Sequence, residues 1–336
     1  MNNPLLSICI PTYNRATYLD ATLNSIVSQK IFQETNEVEI VISDNCSEDN
    51  TRVVSEKYVE IYGTKIRYFR NSENIKDSNY EKVLSYGKGV YLKLNNDTLT
   101  HHENTLDKII EVINQNIKNK DILFFSNGSL KKITNYLCND LNSFVKTVSF
   151  YSTSIVVFGI WKEDFDSIDN FSRNANLQLV QTDVLLQLIS SGRSVWVDNT
   201  IIFDSVVPKT KGGYNFYQVF VVNYLGILEE YKIKKQISKI TLFNEKTKLL
   251  RNLIFYWLVT IEITHQGKYQ FSLDKKWNIL FKYFWNRPSF YVVIILFNGL
   301  KLADWLHIIP TIKRYYFGLS GKKKALNFGH KFNQNA

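Results

Sequence analysis

Two short apolar runs near the amino terminus constrain this chain most: Leu5-Leu6-Ser7-Ile8-Cys9-Ile10 and Val38-Glu39-Ile40-Val41-Ile42. Each stops abruptly in polar residues, Pro11-Thr12-Tyr13-Asn14-Arg15 after the first and Ser43-Asp44-Asn45 after the second. A buried parallel strand hands a loop to the carboxyl edge of its sheet in this way. Between the runs, Tyr18, Leu19, Thr22, Leu23, Ile26 and Val27 recur at helical spacing, so the unit reads strand, helix, strand. The two polar loops therefore lie side by side at the edge where open α/β sheets bind ligands.

The pattern continues. A helix is expected over 49–62, a strand over 65–69, a polar loop over 71–79 and a helix over 80–86 that ends at Gly87 and Gly89. A strand over 90–94 then delivers Asn95-Asn96-Asp97 to the same edge. Strands alternating with helices over short connections imply a mostly parallel, doubly wound sheet with helices on both faces. A helix over 103–116, a strand over 122–125 and a run over 145–157 are expected to extend that sheet or cover the site. A helix over 177–192, with Leu179, Leu185, Leu186, Leu188 and Ile189 as its apolar set, and strands over 195–197 and 200–203 close the domain. Pro208-Lys209-Thr210-Lys211-Gly212-Gly213 reads as a flexible basic loop. The boundary is placed there, with an α/β domain at 1–207 and a helical, aromatic-rich, basic region at 208–336.

The formal net charge of +10 is concentrated at one end. From Lys275 to Ala336 eleven Lys or Arg face one acid, Asp304, and they alternate with Trp277, Phe281, Tyr283, Phe284, Trp285, Phe290, Tyr291, Trp305, Tyr315, Tyr316 and Phe317. Cationic and aromatic side chains interleaved at helical spacing describe a surface resting among the headgroups of an anionic membrane. Nucleic acid is ranked below the membrane, because no RNP, helix-turn-helix or zinc spacing supports it. Residues 249–263 include Arg251, Asn252 and Glu262, and residues 290–297 fall well short of the ~20 apolar residues of a spanning helix. Neither is expected to cross a bilayer. Cys9, Cys46 and Cys138 form no CxxC pair, and Met1-Asn2-Asn3-Pro4-Leu5 lacks a basic leader, so reduced thiols and a cytoplasmic location on the inner face of the membrane are expected.

The Pro11-Thr12-Tyr13-Asn14-Arg15 stretch, the Ser43-Asp44-Asn45-Cys46-Ser47-Glu48-Asp49-Asn50-Thr51 segment and Gly89-Val90-Tyr91-Leu92-Lys93-Leu94-Asn95-Asn96-Asp97 together resemble family-2 glycosyltransferases of the GT-A fold. The nearest flavour is the group of abequosyltransferase-like enzymes that build bacterial O-antigen and surface polysaccharide. The likeness covers roughly the first hundred residues strongly and extends to about Asp204. It implies an inverting transfer of a sugar from a nucleotide donor, of UDP or dTDP type, to a glycan or lipid-linked glycan. By the same likeness, Pro11, Thr12, Tyr13, Arg15 and Asp44 form the nucleotide pocket, and Asn79 lies in a loop, shared with Asn74 and Asp77, that approaches the nucleotide.

In the family a carboxylate motif holds a divalent metal against the donor phosphates; here Asn95, Asn96 and Asp97 occupy its positions. Asp97 is the expected ligand for Mn²⁺ or Mg²⁺. Asn95 and Asn96, neutral and poorer ligands, are left to hydrogen-bond the ribose. His101 and His102 are weighed as further ligands against simple solvation. Asp183, in Gln181-Thr182-Asp183-Val184, is the expected catalytic base, against the plainer reading of an exposed helical residue. Asp164 and Asp166 are expected to serve folding, and Trp161 either stacks on a sugar or fills the core. Nucleotidyltransferases and dinucleotide-dependent dehydrogenases are disfavoured, because no glycine-rich loop follows the first strand. The remaining alternative is a degenerate, nucleotide-sugar-binding scaffold protein.

Overall fold

The computed structural model describes residues 3–131, 135–206, 208, 212–264 and 269–306. The tail beyond residue 306 and most of the 207–211 loop, including the expected positions of Tyr315, Tyr316 and Phe317, lie outside the described residues. The chain divides into two compact units. Among the described residues the first comprises 3–140 and Ser154–Val206, and the second comprises Leu141–Thr153 and residues 208–306.

The first unit is built on a five-stranded sheet. Its strands are β1 (Leu6–Thr12), β2 (Val38–Asp44), β3 (Ile66–Arg70), β4 (Tyr91–Leu94) and an edge strand, Gly159–Trp161, in the spatial order β3-β2-β1-β4-edge. The first four run parallel, and the edge strand is antiparallel to β4. Ile8, Cys9 and Ile10 of β1 and Ile40, Val41 and Ile42 of β2 are each at most 1 % exposed. Burial on both faces is why these strands read as continuous apolar runs rather than alternating ones. Helices Ala16–Val27, Thr51–Tyr62 and Ser78–Ser85 connect the parallel strands. The GT-A-like α/β architecture expected from the sequence is present, with a helical carboxyl-terminal region.

Two expectations are corrected. The strand at Ile122–Phe125 does not extend the central sheet; it pairs with Val195–Asp198 in a separate three-stranded sheet completed by Asn135–Cys138. The run over 145–157 contains no strand: Leu141–Val148 is a helix, followed by the short turns Ser149–Thr153 and Ile155–Val157. Leu141, Phe144, Val145 and Val148 of that helix are buried, at the three- and four-residue spacing of one helical face.

Among the described residues the second unit is helical apart from a two-stranded sheet, Gly212–Asn215 with Gln270–Ser272. Its centre holds the Glu245 carboxylate, which accepts hydrogen bonds from Ser149 Oγ (2.7 Å) and Tyr224 Oη (2.9 Å). No helix among the described residues is long and apolar enough to cross a membrane.

Candidate functional site

The parallel register aligns Thr12 with Asp44 at the ends of β1 and β2, and Asn95 follows β4 directly, its N–H donating to the Cys9 carbonyl of β1 (2.9 Å). The polar residues that end the three apolar runs thus share one carboxyl edge. Loop one and loop two are stitched together: the Asn14 N–H donates to Ser47 Oγ (2.8 Å), and the Glu48 N–H donates to Asn14 Oδ1 (2.8 Å). Asn14 makes this turn at φ 52°, a left-handed conformation that Asn tolerates better than most side chains.

Asp97 is the hub. It is 1 % exposed, and its carboxylate accepts from Thr12 Oγ1 at Oδ2 (2.8 Å) and from Arg15 Nη1 at Oδ1 (2.9 Å). Burial pushes its carboxyl upward from the ordinary range, against the opposing pull of Arg15 and Thr12. Thr12, Arg15 and Asp97, far apart in sequence, are therefore one cluster. Pro11 precedes it half-buried, and Tyr13 leaves its ring 43 % exposed beside it in sequence, free to present an aromatic face.

Asp44 is fully buried. Its Oδ1 accepts the Ser47 N–H (2.8 Å) and its Oδ2 accepts Tyr68 Oη (2.7 Å), with Arg70 Nε 3.6 Å from the same oxygen. Sequence reasoning passed over Tyr68 and Arg70. The signal for them was the two-residue alternation of β3, which puts both on one face of the strand, next to Asp44 once β2 and β3 pair in parallel. Asn79 is 2 % exposed and braces the loop over 71–79: its Nδ2 donates to the Ser43 carbonyl (3.0 Å), while its Oδ1 accepts from Ser43 Oγ (2.7 Å) and Asn71 Nδ2 (3.0 Å). Asn74 belongs to the same brace through Asn45 Nδ2 (2.8 Å). Asp77 is buried enough that its carboxyl is pushed up to about 6.

Asn95 is also buried, with Oδ1 2.9 Å from His101 Nε2 and Nδ2 donating to the Asn96 carbonyl (3.0 Å). Burial drives the His101 imidazole down to about 3, so it is neutral at ordinary pH. His102 instead lies 3.2 Å from Asp204. Among the described residues no three His, Cys, Asp or Glu side chains gather as a metal cage. The donor set still fits one role for a divalent ion. Each oxygen of Asp97 accepts one hydrogen bond and keeps further lone pairs, so the residue suits an ion that takes its other ligands from phosphate and water.

Asp183 stands in the first turn of helix Val180–Ser190, not exposed but fully buried. Its carboxylate is clasped by Arg173, Nε to Oδ2 at 2.6 Å and Nη2 to Oδ1 at 2.5 Å, and it also accepts from Gln187 Nε2 (3.0 Å). Arg173 carried no sequence signal, because it lies in an irregular stretch and meets Asp183 only through the fold of that stretch. Asp164 is held by Arg193 (2.6 Å), and Asp166 pairs with Lys162 on the surface. Trp161 is fully buried, edge-on to Tyr91 and donating Nε1 to the Asp121 carbonyl (2.8 Å); it fills the core rather than stacking on a sugar.

Residues 7–119 match the family model described as glycosyl transferase family 2. The abequosyltransferase RfbV of Salmonella typhimurium is 43 % identical over 88 residues, 26 % of this chain and 26 % of that protein, so the match spans about a quarter of the relative's length. Among solved structures, S. aureus TarS 1–349 in complex with UDP is similar with a TM-score of 0.54 at 16 % identity, covering 93 % of this chain and 91 % of that one. The mannosyltransferase PcManGT from Pyrobaculum calidifontis, in complex with GDP-Man and Mn²⁺, gives 0.53 at 11 % identity, covering 97 % and 89 %. Over residues 7–119 the chain is therefore similar to glycosyl transferase family 2, within a fold like that of the solved glycosyltransferases of the GT-A kind.

Proposed function

We propose that this protein transfers a sugar from a nucleotide-sugar donor to a glycan or lipid-linked glycan acceptor of a bacterial surface polysaccharide, with inversion at the anomeric carbon. The observation that carries the reading is the convergence of Thr12, Arg15, Asp44 and Asp97 at one carboxyl edge, inside the segment that matches the family. The solved relatives named above hold UDP in one case and GDP-Man with Mn²⁺ in the other, which supports a nucleotide-sugar donor here.

In this reading the base lies against the exposed Tyr13 ring, and Asp44 accepts an N–H from it in place of a hydrogen bond it makes at rest. Arg15, already drawn to this edge by Asp97, faces the diphosphate with a fixed positive charge. Asp97 would hold a divalent ion, Mn²⁺ or Mg²⁺, which neutralises charge on the departing diphosphate. Asp183 accepts the proton of the attacking hydroxyl as its clasp with Arg173 opens. Attack from the face opposite the leaving group inverts the centre in one step, without a covalent enzyme intermediate.

A binding-only protein is favoured by a single feature, the neutral Asn95 and Asn96 in the metal motif. Calorimetric titration of UDP, dTDP, CDP and GDP with Mn²⁺ or EDTA, followed by donor hydrolysis with the matching nucleotide sugar, separates the two. Binding with turnover supports the transferase; binding without turnover leaves the scaffold reading; no binding of any nucleotide removes both.

A further inference from the structure

We propose that the outer faces of helices Lys276–Phe284 and Pro288–Trp305, in the second unit, form a docking surface for an anionic lipid bilayer. On the first helix and its end, Trp277, Phe281 and Trp285 follow at intervals of four residues, and they are 38 %, 57 % and 55 % exposed. The adjoining face of the helix buries Leu280 and Phe284. On the second helix Phe290, Val293 and Phe297 are buried, whereas Tyr291, Val292, Ile295, Leu296 and Leu302 are all exposed, Ile295 at 69 %. The two helices pack side by side, the Trp277 ring 5.9 Å from the buried Phe297 ring and the Phe281 ring 6.3 Å from the buried Phe290 ring, which makes their exposed residues neighbours.

A helix apolar on every side normally lies within a core, and contiguous exposed apolar patches mark contact surfaces. The inner sides of these helices are already packed, so the exposed stripe calls for an outside occupant. Charge selects it. Lys275, Lys282 and Lys301 are exposed around the stripe, Lys301 with its Nζ 3.8 Å from Glu262 beneath it, and the only acid from Lys275 to Leu306 is Asp304. A second copy of the same face would set lysine against lysine. The segment 307–336 cannot supply the complement, since it carries six Lys or Arg and no acid. Anionic headgroups supply both the charge and a boundary where Trp and Tyr rings are favoured. Because neither helix is long and apolar enough to span, the surface lies in the interface, with its rings at headgroup depth.

This surface is tested without donor or acceptor, so its failure is distinct from failure of the transfer reaction. The full chain is floated with vesicles of phosphatidylcholine, or of phosphatidylcholine and phosphatidylglycerol in equal parts, at low and high salt. Partition to the anionic vesicles, weakened by salt and accompanied by a blue shift of tryptophan emission, is expected. Trp277→Ser, Phe281→Ser and Trp285→Ser combined should lower partition about tenfold or more, with helix content by circular dichroism unchanged. Lys282→Glu with Lys301→Glu keeps the apolar stripe and should weaken binding to anionic vesicles only, which tests the surface even if the serine variant fails to fold. Absence of wild-type flotation on anionic vesicles at low salt, or unchanged partition of both variants, overturns the proposal. So does a wild-type dimer in solution that the serine variant converts to monomer while neither binds vesicles.

Discussion

At the scale of single residues, Asp97 and Asp183 are both buried carboxylates paired with arginine, yet they lead to different expectations. Burial holds the Asp97 carboxyl high, so at neutral pH its ionised form is carried at a cost in stability. Asp97→Asn removes that cost along with the bond to Arg15. Its melting temperature should therefore stay within a few degrees of wild type, while transfer falls by about 10² or more because the charge at the diphosphate edge is gone. Differential scanning fluorimetry beside a transfer assay checks both halves; wild-type turnover would remove Asp97 from the site. Asp183→Asn should lower kcat by about 10²–10⁴ and leave nucleotide affinity unchanged, since only the proton acceptor is lost. Parallel collapse of affinity and turnover would place Asp183 in the donor pocket. Arg173→Ala leaves a buried charge without its strongest partner. As Arg173 is about a third exposed, the loss is expected at about 2 kcal/mol by chemical denaturation, below that of a fully buried pair.

At the scale of elements, what could be read in advance depended on the range over which the determinant acts. β1, β2 and β4 were legible because burial on both faces writes itself locally as a short apolar run ending in polar residues, and the loops that carry Thr12, Arg15, Asp44 and Asp97 came with them. Tyr68 and Arg70 were missed although their strand was expected, because their role arises from the parallel register of β3 on β2. Leu141–Val148 misled for a related reason: its apolar residues fit a strand or a helix, and its hydrogen-bond partners Gln236, Ser238 and Thr241 lie nearly a hundred residues away. Asn95 follows β4 as expected, whereas Asn79, expected in a loop, lies in the first turn of helix Ser78–Ser85; the amides of both are engaged by neighbouring protein groups, a matter of packing that residue type does not disclose.

The buried carboxylate at the centre of the second unit makes an element-scale prediction. Desolvation pushes Glu245 from 4.5 to about 7, while Ser149 and Tyr224 pull the other way. With its folded value raised above its unfolded one, the group's contribution is fully present at about pH 4 and is lost as pH rises through 7. Urea denaturation of the second unit should therefore show lower stability at pH 8 than at pH 5, by on the order of 3 kcal/mol. Glu245→Gln should flatten that dependence, and a wild-type profile unchanged by the substitution would exclude Glu245 as its source.

At the scale of the whole molecule, the chain leaves the first unit at Leu141, returns at Ser154 and leaves again after Val206. Shortening the chain at Val206 does not isolate the first unit cleanly, because Leu141–Thr153 keeps its apolar side chains and loses what they pack against. Such a product should associate on size exclusion, and replacing Phe144 and Val148 by Ser within it should restore a monomer. A well-behaved monomer without those changes would show that Leu141–Thr153 tolerates the loss of its partners.

That excursion also sets a timetable for biosynthesis. Ser149 leaves the ribosome 96 residues before Glu245, the carboxylate it is destined to bind. At ~5–20 residues per second the interval is about 5–20 s, long compared with the formation of the helix itself. Throughout it, the apolar face of Leu141–Val148 lacks its partners from the later part of its own unit, while Ser154–Val206 is still completing the first unit. Newly made chains should accordingly engage holdase chaperones in a window that opens with this helix and closes when Glu245 emerges, and slowing translation between the two would lengthen their exposure to aggregation.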